Sequence, residues 1–200
     1  MFGQQLMRGR CFRVQTSRKL SFVPSDLDPH CTKFRRAQVE AELGPLPPGC
    51  VSRSDAPCHQ MVLEHLHAPP STHDFVPLTE ADAPEMRALA ELTRPGPFFS
   101  RTHQLGDFVG VKIDGRLVAM SGERMKVPGF TEVSAVCTHP DFRGRGYAGA
   151  LMSHVASKIL ARGETPFLHS YAANTGAIAL YEALGFRFRA AVTMRVLVPA

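Results

Sequence analysis

His139-Pro140-Asp141-Phe142-Arg143-Gly144-Arg145-Gly146-Tyr147-Ala148 is the stretch on which the fold turns. Just before it, Thr131-Glu132-Val133-Ser134-Ala135-Val136-Cys137 reads as a largely buried strand. Just after it, Leu151, Val155, Ile159 and Leu160 mark a helix over residues 146–162, with Gly163 as its stop. The stretch therefore delivers a strand into a helix amino terminus. Such a terminus carries unpaired N–H groups and about half a positive charge, which suits a phosphate or pyrophosphate. Gly144 and Gly146 let the backbone approach a ligand closely, and Arg143 and Arg145 add charge for phosphate oxygens. In isolation the loop fits equally a tight turn with solvated arginines. It lacks the Gly-Lys-Ser/Thr of a P-loop and the three-glycine spacing of a dinucleotide site.

Outward from this centre the elements alternate. Phe167-Leu168-His169-Ser170-Tyr171 reads as a strand, Asn174 opens a helix that ends at Gly185, and residues 186–198 form a final strand. Upstream, Phe108–Ile113 and Leu117–Met120 flank Asp114-Gly115, a strong hairpin signal, and Pro128-Gly129 turns the chain again. Asp82 and Glu85 suggest a helix start of capping-box type, with Pro84 tolerated in the first turn. Met86, Leu89, Ala90 and Leu92 give that helix an apolar face, and Arg94-Pro95-Gly96-Pro97 ends it. Phe75–Leu78 and Met61–Leu63 read as short strands. The order predicts a mixed α/β sheet, antiparallel hairpins first and crossover helices later.

Residues 1–57 read differently from residues 58–200, which form the predicted domain. The first part is basic, Pro-rich and weakly periodic, with a short helix expected at 33–42 and little order elsewhere. It reads as a solvated extension, an incomplete subdomain or the remnant of a second module. Its first 25 residues hold Arg8, Arg10, Arg13, Arg18 and Lys19 and no acid, which accounts for the whole net charge of +5. The remainder is neutral and has no aromatic-basic recognition motif, so nucleic acid is not the expected partner. No apolar run approaches the ~20 residues of a membrane span, and no signal-peptide core is evident at the start. Five cysteines without CxxC spacing argue against a zinc module or a disulfide scaffold, and a reducing cytoplasm is expected. His65 and His67 share a strand face, but two ligands do not make a metal site, and no metal is expected.

Three linked pieces carry a family resemblance. They are the strand Val133–Thr138 running into His139-Pro140, the loop Arg143-Gly144-Arg145-Gly146-Tyr147-Ala148, and Asn174-Thr-Gly-Ala-Ile-Ala-Leu-Tyr-Glu-Ala-Leu-Gly-Phe186. Together they resemble the GCN5-related N-acetyltransferase (GNAT) superfamily, in its FR47-like branch, from about residue 75 to the end. The resemblance implies a GNAT-like acyl-CoA N-acyltransferase fold, with two splayed central parallel strands at 131–138 and 166–171. It also implies acetyl-CoA as co-substrate and an acetyl transfer to a small-molecule or peptide amine by direct attack in a ternary complex. A non-catalytic acyl-CoA-binding domain is the alternative. No membrane partner is expected, and a homodimer stays open.

The resemblance assigns roles. Backbone amides of Arg145, Gly146, Tyr147 and Ala148 hold the pyrophosphate. Val136 and Thr138, with Cys137 between them, meet the pantetheine arm. Asn174 caps its helix, with or without a contact to that arm. Tyr181 matches the family's Tyr that donates a proton to the departing thiolate, and a core aromatic with its hydroxyl at the edge is the other reading. Glu132 is the first candidate for general base or water-positioner, and Glu123 the second. Cys137 reads as a packing residue. The acceptor site is expected from residues 94–101 and the end of the 118–124 strand. There Phe98 and Phe99 could line a pocket and Arg101 could pair with an acidic acceptor.

Overall fold

A computed structural model of the protein describes residues 36–68 and 71–200. The basic arm at residues 8–19, together with Cys11 and Cys31, lies outside the described residues. Eight strands make one sheet: β1 Arg36–Glu40, β2 Cys50–Leu63, β3 Val76–Leu78, β4 Phe108–Ile113, β5 Arg116–Val127, β6 Phe130–Thr138, β7 Thr165–Tyr171 and β8 Phe186–Pro199. Three α-helices join them: α1 Ala83–Thr93, α2 Tyr147–Ala161 and α3 Thr175–Ala183. The strand order is β1-β8-β2-β7-β6-β5-β4-β3. Among the described residues only β6 and β7 run parallel, as the connection through α2 demands. Every other pair is antiparallel.

Local chemistry explains the elements. Asp114 and Gly115 both adopt positive φ, at 49° and 79°. Two consecutive left-handed residues make the turn whose twist matches the flanking strands β4 and β5. Period-two alternation then sorts side chains to opposite faces. Phe108, Leu117 and Met120 pack with Met86, Leu89 and Ala90 of α1. Val109, Val111 and Val118 pack with Leu151, Val155 and Ile159 of α2. The sheet is thus covered by α1 on one face and by α2 on the other. The start of α1 differs in detail from the sequence reading. The capping box is formed by Thr79 and Asp82, one turn earlier, and Asp82 also accepts from Lys112 Nζ at 2.7 Å.

The amino-terminal part departs further. Where a helix at 33–42 is expected, Arg36–Glu40 is a strand paired with Thr193–Leu197 of β8. Ala37 and Val39 point the same way, onto Cys58, Val192 and Met194. An available strand edge has overridden local helix propensity. β2 is also longer than Met61–Leu63, and it inserts between β7 and β8, antiparallel to both. The sheet therefore reaches well upstream of residue 58.

The end of β2 is locked to the α3–β8 turn. The N–H of Glu64 donates to the Gly185 carbonyl at 3.2 Å, and that of His67 to Leu184 at 3.0 Å. Gly185 has φ of 100°, and a Cβ there would run into the His65 carbonyl oxygen. Gly185→Ala should therefore destabilise the fold by at least about 3 kcal/mol, since strain and a backbone clash add. Chemical denaturation measures this, and a loss below about 1 kcal/mol would contradict the packing described.

Candidate active site

The site begins where two strands part. β6 and β7 are paired only at Phe130↔Thr165, Thr131↔Pro166 and Glu132↔Phe167. Beyond that rung they diverge. On the other edge of β6 the register to β5 slips between Met120↔Cys137 and Gly122↔Ser134. Ala135, inside the slip, has φ of 52°. This is a β-bulge, which bends a strand and re-aims its side chains. The β7-facing backbone groups of residues 134–138 are thereby left without a strand partner.

Two spaces open at the fork and meet there. The first is a groove of about 540 Å³, lined by Val136–Thr138 of β6, by Phe142–Gly149 and by Asn174, Gly176, Ala177, Leu180 and Tyr181 of α3. Thr93, Arg94 and Pro95 close its other wall. The groove collects all the residues expected to hold acyl-CoA, from Val136 through Ala148 to Asn174. Gly144 and Gly146 have φ of 76° and 79°, and an added Cβ would meet nothing nearer than 3.8 Å. They are needed for the left-handed turn and an open approach, not for packing. Gly146 is the N-cap of α2, so the first amides of that helix point into the groove. His73 holds the loop from behind, its Nε2 donating to the Arg145 carbonyl at 3.1 Å and its ring edge meeting Tyr147.

The fit to a phosphorylated, amide-rich ligand rests on one further atom. Thr138 lines this groove, and its Oγ1 is buried with no hydrogen-bond partner among the described residues. A buried hydroxyl left so is costly, and a ligand amide or carbonyl would satisfy it. Asn174 caps α3 through its side-chain oxygen, which accepts from the Ala177 N–H at 3.3 Å. Burial pushes the Cys137 thiol up to about 11, so it is a packing group and not a thiolate at neutral pH.

The second space is a narrow cavity of about 40 Å³ on the α1 face. Pro95–Phe98 form one wall, Val133–Val136 another, and Cys58, Arg124, Leu168, His169, Tyr171 and Met194 most of the rest. Pro95, Val136 and Tyr181 line both spaces, so they mark the junction. Burial holds the Tyr181 phenol up to about 12. Phe98 lies in this wall as expected. Arg101 instead donates to Gln104 at 2.8 Å on the exposed surface.

Both candidate carboxylates are buried in ion pairs, and neither lines the groove or the cavity. Glu123 lies on the α2 face, 2.9 Å from Arg162 Nη2 and 2.8 Å from Lys126 Nζ. Glu132 accepts from Arg124 Nε and Nη2, both at 2.8 Å. It also accepts from His169 Nδ1 at 2.8 Å. In the neutral ring, His169 Nε2 then accepts from Gln60 Nε2 at 3.1 Å, and Gln60 Oε1 accepts from Arg189 at 2.6 Å. Burial alone would raise the Glu132 pKa. The Arg124 charge and the hydrogen bonds from His169 and Arg124 outweigh it and hold the carboxyl at about 2. Sequence reading had no signal for Arg124 or His169. Their relevance comes from being cross-strand neighbours of Glu132.

The depressed value carries a pH consequence. A carboxyl lowered from 4.5 to about 2 on folding adds stability that is complete above its unfolded pKa. That stability is lost as pH falls through about 2. The folding free energy should therefore decline steeply between those pH values in wild type and less steeply in Glu132→Gln. Identical acid limbs in denaturation titrations would contradict the pairing.

Comparison with known proteins agrees with this geometry. A family model described as FR47-like protein matches residues 109–196. The structure resembles a protein assigned to the GNAT acetyltransferase family from Novosphingobium aromaticivorans, with TM-score 0.74 and 48% identity over 84% of this chain and 76% of that one. A GNAT-family acetyltransferase from Colwellia psychrerythraea has TM-score 0.61 at 13% identity, covering 72% of this chain and 57% of that one. The ribosomal-protein-S18-alanine N-acetyltransferase of Escherichia coli has TM-score 0.53 at 21% identity, covering 63% and 92%. These last two speak for the fold alone. The comparison with curated proteins found no match. Motifs, forked sheet and a relative 48% identical over 84% of this chain together show that the chain belongs to the GNAT acetyltransferase family.

Proposed function

We propose that this chain transfers an acetyl group from acetyl-CoA to a primary amine by direct attack in a ternary complex. The observation that carries the reading is the fork itself. A groove suited to coenzyme A and a separate cavity meet at Val136 and Tyr181, where β6 has lost its β7 partner. A domain that only bound acyl-CoA would have no need of the second space.

The loop 144–148 binds the pyrophosphate through backbone amides at the start of α2, with Arg143 and Arg145 beside them. The unpaired backbone of Val136 and Thr138, with the Thr138 hydroxyl, takes the pantetheine amides. An N–H on the free edge of β6 stabilises the carbonyl oxygen as negative charge develops on it. The amine nitrogen attacks the thioester carbon. The C–N bond forms, the C–S bond breaks, and one proton passes from nitrogen to sulfur, giving an amide and a free thiol.

Tyr181 serves the sulfur end of the reaction. A phenol held at about 12 lies well above an ordinary thiol near ~8.5, so outright proton transfer from it runs uphill by about 5 kcal/mol. Tyr181 therefore donates a hydrogen bond to the departing sulfur, and the proton shed by the amine completes the thiol. Glu132 is too weak a base, at about 2, to deprotonate an ammonium group. It acts as a positioning residue that keeps Arg124 and His169 in place. The amine enters as its free base and becomes acidic only after bonding to the acyl carbon. In this reading Glu123 takes no part in proton transfer. Free thiols at Cys50, Cys58 and Cys137 suit a reducing cytoplasm.

Calorimetry and thiol-release assays separate binding from chemistry. Tyr181→Phe should bind acetyl-CoA nearly as wild type does yet turn over about 100-fold more slowly. Gly146→Glu, which puts a carboxylate against the pyrophosphate, should lose binding. Full turnover by Tyr181→Phe would remove the phenol from the mechanism. Undiminished binding by Gly146→Glu would remove the loop.

A further inference from the structure

A guanidinium group offers two edges that each match a carboxylate: Nε with Nη2, and Nη1 with Nη2. In Arg124 the first edge is filled by Glu132, with both bonds at 2.8 Å. The second is open. No acceptor among the described residues bonds Nη1. The side chain is only 13% exposed, so bulk water reaches it poorly. Arg124 lines the acceptor cavity together with Ser134, His169, Tyr171 and Tyr181, and it is absent from the coenzyme A groove. Among the described residues no carboxylate lines the cavity, because Glu132 lies behind the guanidinium.

Glu132 does more than neutralise Arg124. By holding one edge through two parallel bonds it fixes the plane of the guanidinium, and hence the direction of the other edge. A guanidinium fixed this way is a preorganised fork for planar oxyanions. It also leaves a donor edge open to the cavity, and a substrate that cannot pair with it displaces water there without replacing its hydrogen bonds. The cavity is small. About 40 Å³ is room for roughly three water molecules, so what enters is a short polar group and not a ring.

We propose that the free edge of Arg124 is a subsite for a carboxylate carried by the amine acceptor, which makes the acceptor a small amino acid or a similar acid-bearing amine. The inference rests on the acyl-transfer reading above. The carboxylate docks on Nη1 and Nη2, and the amine one or two carbons away is turned toward the junction at Val136 and Tyr181. Arg101, outside the cavity and engaged with Gln104, is not the anion-binding arginine.

Matched acceptors that differ only by the carboxylate provide the test: glycine against methylamine, and alanine against ethylamine. Thiol release from acetyl-CoA is measured, with rates expressed per concentration of free amine. The amino acid of each pair should have the higher kcat/KM by about 100-fold or more, because a site built to pair a polar group rejects a substrate lacking it. Arg124→Lys keeps a cation beside Glu132 but has no second edge. It should lose most of that preference while acetyl-CoA still binds by calorimetry. Equal rates within each pair, or acetylation only of amines without a carboxylate, would overturn the subsite and leave acyl transfer standing. A gain of succinyl-CoA over acetyl-CoA with ethylamine, abolished in Arg124→Lys, would put the carboxylate on the acyl group and overturn its assignment to the acceptor. If wild type failed to bind acetyl-CoA, the acyl-transfer reading would fall. The subsite would then be judged on glycine binding alone: binding abolished by Arg124→Lys supports it, and no binding overturns it.

Discussion

One buried carboxylate holds the site open. Glu132 is the last residue of β6 that pairs with β7 before the two strands part. From that rung it reaches Arg124 on β5 and His169 on β7, so a single side chain ties three strands together at the base of the fork. The arrangement answers a mechanical problem. Parting two central strands forfeits ladder hydrogen bonds and leaves backbone polar groups unpaired. Something must keep the split from spreading downward or closing upward. A charge-assisted clamp resists the first, and the bulge at Ala135, which turns the free edge of β6 away, resists the second.

The forfeited hydrogen bonds leave a polar surface along the fork. The unpartnered edge of β6, the buried Thr138 hydroxyl and the open amide end of α2 all lie along one groove. Each is a polar group that the fold leaves unsatisfied and that an amide-containing, phosphorylated ligand would satisfy. Tyr181 closes the far end, where burial keeps its phenol protonated. The clamp contributes a second time by orienting Arg124 in the wall of the narrow cavity. In the proposed reading, stability and selectivity share the same carboxylate.

The parts legible in the sequence were those specified by near neighbours. Asp114-Gly115 makes its hairpin, Asn174 caps its own helix, and Gly144 and Gly146 shape the loop they occupy. Each depends on residues a few positions away, and the fold class followed from their order. Long-range pairings were not legible. Glu132 meets Arg124 and His169 at separations of 8 and 37 residues, through sheet register alone. Without that register, an acid early in a strand looks like a free base, when burial and pairing make it a clamp. The insertion of β2 between β7 and β8 was hidden for the same reason. Strand adjacency between sequence-distant segments has no local signature, so Cys58 and Gln60 give no sequence hint that they border the site. The helix expected at 33–42 failed because edge pairing with β8 outweighs a modest local preference.

The central claim is that acetyl-CoA occupies the fork between β6 and β7. Amide hydrogen exchange, with and without acetyl-CoA, tests it most directly. Ligand should slow exchange at the β7-facing amides of residues 134–138, at 144–149 and at 175–176, and should change β1, β3 and β8 little. Protection confined to other strands, or none at the fork despite saturating ligand, would contradict the account.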